Sequence, residues 1–269
     1  MLSFSFELRP LAEVAPWGGT RPNLHWFGLT EGWYWIDVEG HELLRYCDEA
    51  VHRWNLERPY PDYYLARFWE DLLTLRWALQ AAVPDDLVPF VDGTSPHREF
   101  PDDEISAEVD VAFGLQGDYR LDFGYLTDAP ALSCYRHTLD GRDAVTLTQL
   151  IPSAKQGTFE GPERLDVTVP AGEFFAAVAD LDRRLIAAMG ERVTALERSG
   201  PPPGVELDLA QLRTEHLGRS RWLAERLESP RQVDWTKARA GFAELSTWPV
   251  EQESPADDDG APARPELSR

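Results

Sequence analysis

The charged residues best suited to chemistry lie in a predicted β-hairpin over residues 109–125. Apolar and polar residues alternate along both arms, and a three-residue loop with Gly117 at a positive φ would join them. This register places Asp110 opposite Asp122, with Arg120 diagonal to the pair. Two facing carboxylates could bind a cation or a ligand, or share a proton. The alternative is that Arg120 neutralises two solvated carboxylates, and a register shift of one residue would separate them.

Two tryptophans on an earlier predicted strand form a second candidate binding surface. Trp33, Trp35 and Asp37 point to one face of this strand, and the residues between them point to the other. Flat aromatic rings can stack on a sugar or a base, and the Asp37 carboxylate could orient hydroxyl groups. The alternative, which we favour, is that these rings pack in the core beneath a helix.

The histidines and cysteines form no recognised catalytic or metal-binding pattern. Cys47 and His52 are five residues apart, which permits a nucleophile and base but fits a buried thiol and a surface imidazole better. Cys134 has no CxxC partner, so we expect two reduced thiols. No phosphate loop or dinucleotide fingerprint occurs either. The sequence therefore assigns no catalytic residue, metal or cofactor. The histidines lack metal-ligand spacing: His25, His41, His97 and His137.

The N-terminal third is predicted to be a strand followed by an aromatic β-meander. Residues 3–8 alternate at the period of a half-buried strand. Seven of the ten tryptophans lie in the first 77 residues, and residues 22–46, which include Trp26, are the densest aromatic stretch. Glu39 and Gly40 are expected to form a turn within it. The meander is apolar on both faces, so we expect each face to be covered.

A helix predicted over residues 62–82 would provide that cover. Its apolar residues recur at helical spacing, and Asp62 could cap its first turn. Residues 83–104 are rich in proline and acids, which is typical of an exposed connection.

The C-terminal half is predicted to change from strands to helices. Asp140 and Gly141 mark a hairpin turn within the alternating region 107–151. We therefore expect an α+β fold in which one or two antiparallel sheets pack against three to four helices, as one domain over residues 1–248 with a disordered acidic tail over residues 249–269. The other predicted elements are strands at 131–138, 143–150 and 164–169, and helices from 170 to about 199, from a capping box at 208–211, and from 235 to 245.

The composition limits the classes of partner. The chain has 26 basic and 47 acidic residues, a formal charge of −21, which disfavours nucleic acids and anionic membranes. No apolar run approaches the roughly 18 residues of a transmembrane helix, and the start lacks the features of a signal peptide. A cytoplasmic protein is expected, and its oligomeric state is left open.

Three motifs resemble an uncharacterised bacterial family classified as a domain of unknown function. They are FELRPL at residues 6–11, HWFGLTEGWYWI at residues 25–36 and, more weakly, LDFGYLTDAPAL at residues 121–132. This resemblance covers about the first 150 residues and implies no activity.

Two functional hypotheses follow. The first is a non-enzymatic acidic binding protein, immunity-like or inhibitory, whose surface engages a basic protein partner. The alternative is a small-molecule-binding protein or enzyme that uses the Asp110, Asp122 and Arg120 face, with Trp33 and Trp35 nearby.

Overall fold

The protein has an α+β fold, in agreement with the class expected from sequence. A computed structural model describes residues 1–96, 98–100, 104–155 and 157–251. These ranges contain two four-stranded antiparallel sheets and eight α-helices, three of them short. The tail expected over residues 249–269 lies, from residue 252 onward, outside the described residues.

The first sheet is built around one central strand. β2 (Glu31–Val38) pairs with β1 (Leu2–Leu8), β3 (His41–Leu43) and β4 (Asp62–Tyr64). The predictions of β1 and of the turn before β3 are confirmed. The two turn residues have φ of 48° and 87°, as a tight hairpin between twisted strands requires.

The meander differs from its prediction at Trp26. This residue lies before a short 3₁₀ turn (Gly28–Thr30) and not on a strand, so the first predicted segment is wrong. Its ring is completely buried and packs against Trp69 at 5.8 Å between ring centroids.

Helix α2 (Leu65–Ala78) covers one face of the first sheet. The ring of Phe68 stacks on Tyr34 at 4.7 Å. The helix thus lies on the sheet face opposite Trp33. The packing of Trp33 beneath this helix, which the sequence favoured, is not found. The prediction of Asp62 as its N-cap is also wrong, because Asp62 belongs to β4, where it pairs with Trp33.

The second sheet has the order β5, β6, β7, β8. The hairpin predicted at Asp140 and Gly141 is confirmed, with φ of 50° and 75° at these residues. The strand predicted at residues 164–169 is confirmed as well. The strands are β5 (Arg120–Leu121), β6 (Ala131–Leu139), β7 (Arg142–Leu150) and β8 (Arg164–Pro170).

Helix α4 (Ala107–Asp118) occupies the place of the predicted hairpin over residues 109–125, so that prediction is wrong. The Ser106 hydroxyl accepts a hydrogen bond from the Val109 amide and caps the helix. The buried residues Val109, Ala112 and Leu115 recur at helical spacing, and they pack towards α8 (Trp235–Leu245). Burial of this face outweighs the local preference for alternation.

The remaining helices include the longest one. α5 (Ala171–Ser199) confirms the predicted stripe and ends at Gly200 with φ of 71°. The predicted Asp208 cap is confirmed at the start of α6. The single helix expected after it is divided into two helices, which are separated at residues 220–221. α8 has the predicted bounds. The other helices are α1 (Asp48–Trp54), α3 (Val88–Val91), α6 (Leu209–Arg219) and α7 (Trp222–Glu228).

The connection over residues 83–104 is more structured than predicted. It contains α3, and Val83, Leu87 and Val91 are buried in the main core. No helix in the described ranges is both long and apolar enough to cross a bilayer.

Helices α4 and α8 approach closely at Gly241. A Cβ atom there would lie 2.0 Å from the carbonyl oxygen of Glu108, so Gly241→Ala should lower the free energy of unfolding by about 2–3 kcal/mol. Gly114 lies on α4 with open space around it, so Gly114→Ala should raise stability by about 1 kcal/mol. Urea unfolding of both variants checks this, and equal midpoints for Gly241→Ala and the wild type would refute the close approach.

Candidate functional site

A cavity of about 300 Å³ opens between α3, α4 and the end of α8, beside the β5 edge of the second sheet. Its lining combines aromatic rings with guanidinium and hydroxyl groups. We call it the arginine pocket. The residues that define it are Phe90, Phe100, Phe113, Arg98, Arg120 and Ser133.

The aromatic part of the lining consists of packed rings, which we call the aromatic wall. Phe100 stacks on Phe113 at 5.0 Å between centroids, and Trp248 lies 5.9 Å from both. Phe90 stacks on Phe242 at 4.5 Å, which joins α3 to α8. Phe100 is 67% exposed although it is a large apolar residue. The wall therefore presents an aromatic surface that a flat or apolar ligand could cover.

Arg120 is positioned by the pleat of a very short strand. In β5, Leu121 points into the core and is 2% exposed, so the preceding residue points outward. Backbone pairing places Arg120 beside Ser133 of β6. Within the described ranges, the Arg120 side chain has no ion-pair or hydrogen-bond partner.

Arg98 ties the C-terminal segment to the rim of the pocket. Its Nη1 donates to the carbonyl oxygen of Trp248 at 2.7 Å, and its backbone bridges to Val250. The amide of Glu99 donates to the carbonyl of Pro249. Arginine has five N–H donors, so most of those of Arg98 are uncommitted towards the described residues.

The close packing of two residues in the pocket lining, Gly93 and Ser133, requires a glycine. Gly93 has φ of 84°, and a Cβ atom there would lie 2.8 Å from Ser133 Oγ. The neighbouring Asp92 does not line the pocket, because its carboxylate accepts from Thr94 and lies 3.5 Å from Arg164. The described lining therefore contains two arginines and no Asp or Glu. Residues 97 and 101–103, which flank Arg98 and Phe100, are outside the described ranges.

The structure does not bring the predicted acidic pair together. Asp110 is exposed in the first turn of α4, where a carboxylate complements the helix dipole. Asp122 follows β5, where it accepts from Arg67 at 2.7 Å and from the Gly124 amide at 2.9 Å. The facing arrangement is wrong because residues 107–118 are helical. Arg120 alone of the three lies at the arginine pocket.

The predicted tryptophan surface lies on the first sheet, away from this pocket. Trp33 is 2% exposed, and the guanidinium groups of Arg9 and Arg58 lie over its ring at 4.5 and 5.0 Å from the centroid. Trp35 stacks on Tyr60 at 4.3 Å. Arginines and a loop, and not the predicted helix, cover this face. Asp37 accepts hydrogen bonds from the hydroxyls of Ser3 and Ser5.

Comparison with protein families matches residues 3–241, which include both sheets and the helices into α8. The chain belongs to DUF5984, a family of unknown function. The match extends well beyond the first 150 residues, to which the sequence motifs pointed. No curated protein and no solved structure matches the chain.

In this DUF5984 member, sequence reasoning missed most of the pocket. Phe90, Arg98 and Phe100 lie in the segment that was predicted to be an exposed connection. The apolar run VPFV at residues 88–91 was a signal of burial there. The alternation that suggested strands concealed Phe113 on α4.

Among the described residues, neither cysteine forms a catalytic pair with a histidine. The Cys47 thiol donates to the carbonyl oxygen of Gly157 at 2.8 Å, whereas His52 is exposed on α1. Burial raises the pKa of the Cys134 thiol well above its ordinary value. Among the described residues, no three His, Cys, Asp or Glu side chains converge as a metal site would require.

Asp122 has a carboxylate neighbour other than the predicted one. Asp71 of α2 lies 3.5 Å from Arg67 Nε, and Arg67 also binds Asp122. Burial raises the pKa of Asp71 to about 6; Arg67 opposes this rise, and the charges of Asp122 and Glu70 add to it. A carboxyl group that titrates near neutrality therefore lies beneath the loop that follows β5.

Asp71→Asn should stabilise the protein at pH 7 by roughly 1–2 kcal/mol, after allowance for solvent screening. The pKa of Asp71 is higher in the folded chain than the unfolded value of about 3.9, so the wild type loses stability as pH rises from about 4 to about 6. Urea unfolding across this range checks the prediction. The two proteins should converge below pH 4, and a constant difference at all pH values would contradict the assignment.

Proposed function

We propose that the protein binds a small organic anion with an apolar body in the arginine pocket. The observation that carries this proposal is the Arg120 guanidinium, which lies on the pocket rim without a partner among the described residues. Acids outnumber bases in this chain by 47 to 26, and most of the described arginines have an acidic partner. Arg120 has none among the described residues, and neither does Arg198, which lines a second cavity between α5 and α6 that lacks aromatic rings. A carboxylate, sulfonate or phosphate group fits the planar donor fork of arginine.

The aromatic wall supports an amphipathic ligand over a free inorganic anion. Phe100 and Phe113 offer ring surface next to the arginines, so one molecule could place its charge on the guanidinium groups and its apolar part on the rings. The volume of about 300 Å³ is at the low end of the range for small-molecule sites. A ligand of one to three rings, or a short acyl chain, is therefore favoured.

The pocket lies at the second sheet, where the small-molecule alternative was expected, but it uses basic groups in place of the predicted acidic pair. The basic protein partner, the bacterial origin and the cytoplasmic location stay predictions that rest on composition and on the resemblance.

The fluorescent probe 8-anilinonaphthalene-1-sulfonate, which combines an anionic group with aromatic rings, tests the proposal. Arg120→Gln should weaken its binding by about tenfold, the loss expected when one charge-assisted hydrogen bond is removed. Fluorescence titration at low ionic strength gives the dissociation constants, and thermal unfolding verifies that the variant is folded.

Arg142→Gln is the matched control. Arg142 is exposed at the far end of the β6–β7 hairpin and has no ion-pair partner among the described residues. This variant should bind the probe as the wild type does. Equal probe affinities of the wild type and Arg120→Gln would contradict the proposal. An equal loss of affinity in Arg120→Gln and Arg142→Gln would show that only the overall charge of the protein affects probe binding.

A further inference from the structure

The arginine pocket meets another cavity, which we call the adjoining cavity. It has a volume of about 410 Å³ and lies along the connection between β5 and β6. Arg120 and Gly117 line both cavities. A Cβ atom on Gly117 would contact no other part of the chain within 4 Å, so the space beside this residue is open. A ligand in the arginine pocket can therefore extend past Arg120 into the adjoining cavity.

The adjoining cavity contributes a further cation. Lys155 ends a short 3₁₀ turn (Ser153–Lys155) that follows β7, and this exposed residue lines the cavity. Within the part of the chain that the structure describes, no carboxylate pairs with its ammonium group. Lysine is a compact point charge that binds phosphate and carboxylate groups. Three basic residues thus line the two cavities: Arg98, Arg120 and Lys155.

The carboxylate that lines the adjoining cavity already has partners. One oxygen of Asp122 accepts from Arg67 at 2.7 Å, and the other accepts from the Gly124 amide at 2.9 Å. Among the described lining residues of the two cavities, Asp122 is the single acid against three bases. The lining is therefore basic, although the chain as a whole has a formal charge of −21.

We propose that the ligand carries two anionic groups joined by its apolar body, and that Lys155 binds the second group. This inference rests on the proposed function, because the apolar body and the first anionic group occupy the arginine pocket. A ligand with a single anionic group would leave the Lys155 ammonium without a partner. Linking the two groups makes the second contact intramolecular, which raises the affinity beyond that of either contact alone. Dicarboxylates, disulfonates and phosphate esters with a second acid group belong to this class.

The cavity between α5 and α6 lacks this excess of positive charge. Its described lining contains Arg198 and Arg213, but also Glu191 and Glu197. Arg213 donates to Glu197 at 2.7 Å, so acids and bases balance there. The arrangement beside Arg120 is therefore the one that suits a dianion.

Displacement of 8-anilinonaphthalene-1-sulfonate by two matched competitors tests the inference. Naphthalene-2-sulfonate carries one anionic group, and naphthalene-2,6-disulfonate has the same rings with a second such group. In Lys155→Gln, the affinity for the disulfonate should fall by about fivefold, the upper range for an exposed ion pair. The affinity for the monosulfonate should not change.

Lys237→Gln is the matched control, because it removes the other lysine of the chain. Lys237 is exposed in the first turn of α8, whereas the opposite end of that helix lines the arginine pocket. This variant should bind both competitors as the wild type does. If Lys155→Gln and Lys237→Gln weaken the binding of the disulfonate equally, overall charge explains the loss and the inference is overturned.

Gly117→Leu tests whether the two cavities are joined. A leucine side chain at this position should lower the affinity for the disulfonate more than that for the monosulfonate. Gly114→Leu adds the same side chain elsewhere on α4, also in open space, and should leave the ratio of the two affinities unchanged. Thermal unfolding verifies that both variants are folded. A wild-type ratio in Gly117→Leu would place the second anionic group elsewhere and contradict the inference.

Arg120→Gln separates failure of this inference from failure of the proposed function. If Arg120→Gln weakens the binding of both competitors, but Lys155→Gln changes neither affinity or lowers both equally, the arginine pocket stands and the inference about the second anionic group fails. If Arg120→Gln has no effect on either competitor or on the fluorescent probe, both fail.

Discussion

Both sheets depend on the packing of α5. Its 29 residues span roughly 43 Å, and one apolar stripe packs against β1 at the first sheet and against β7 and β8 at the second. Arg192, on the same helix, donates to the main-chain carbonyls of Leu29 and Arg9. Burial lowers the pKa of this guanidinium to about 10, although the charge of Glu31 opposes the shift. A buried cation thus fixes the end of β1 and the start of β2 to the helix.

The arginine pocket is a consequence of how the second sheet ends. α5 holds β7 and β8, whereas the opposite edge is β5, which has only two residues. Because this strand is so short, α4 and α8 complete the edge of the sheet. The contact at Gly241 sets the distance between these two helices. Arg120 lies where strand pairing stops and helix packing begins. Irregular junctions of this kind are common places for ligand sites, because several elements contribute side chains there.

Sequence periodicity correctly predicted those elements in which the spacing of apolar residues matches the face that is buried. β6, β7, α5 and α8 are of this kind, since alternation or a helical stripe coincides with a buried face. In α4, valine and phenylalanine alternate as in a strand, yet Val109, Ala112 and Leu115 also satisfy the helical period. The Ser106 cap is a local signal for the helix, but the contact with α8 decides between the two patterns, and local sequence contains no information about that contact.

The arginine pocket was harder to predict than the fold, because the net charge of the chain does not reveal the charge at any one place on its surface. Most of the described arginines near the core are paired with acids, as Arg9 is with Glu31 and Asp62, so they contribute little free positive potential. Arg120 differs only in what surrounds it. At long range the acidic body repels an anion, and salt screens that repulsion beyond about 8–10 Å. Contact with a guanidinium acts over a hydrogen-bond length and is screened less. The proposed affinity for an anion must therefore come from the geometry of the pocket and cannot come from steering by the whole protein.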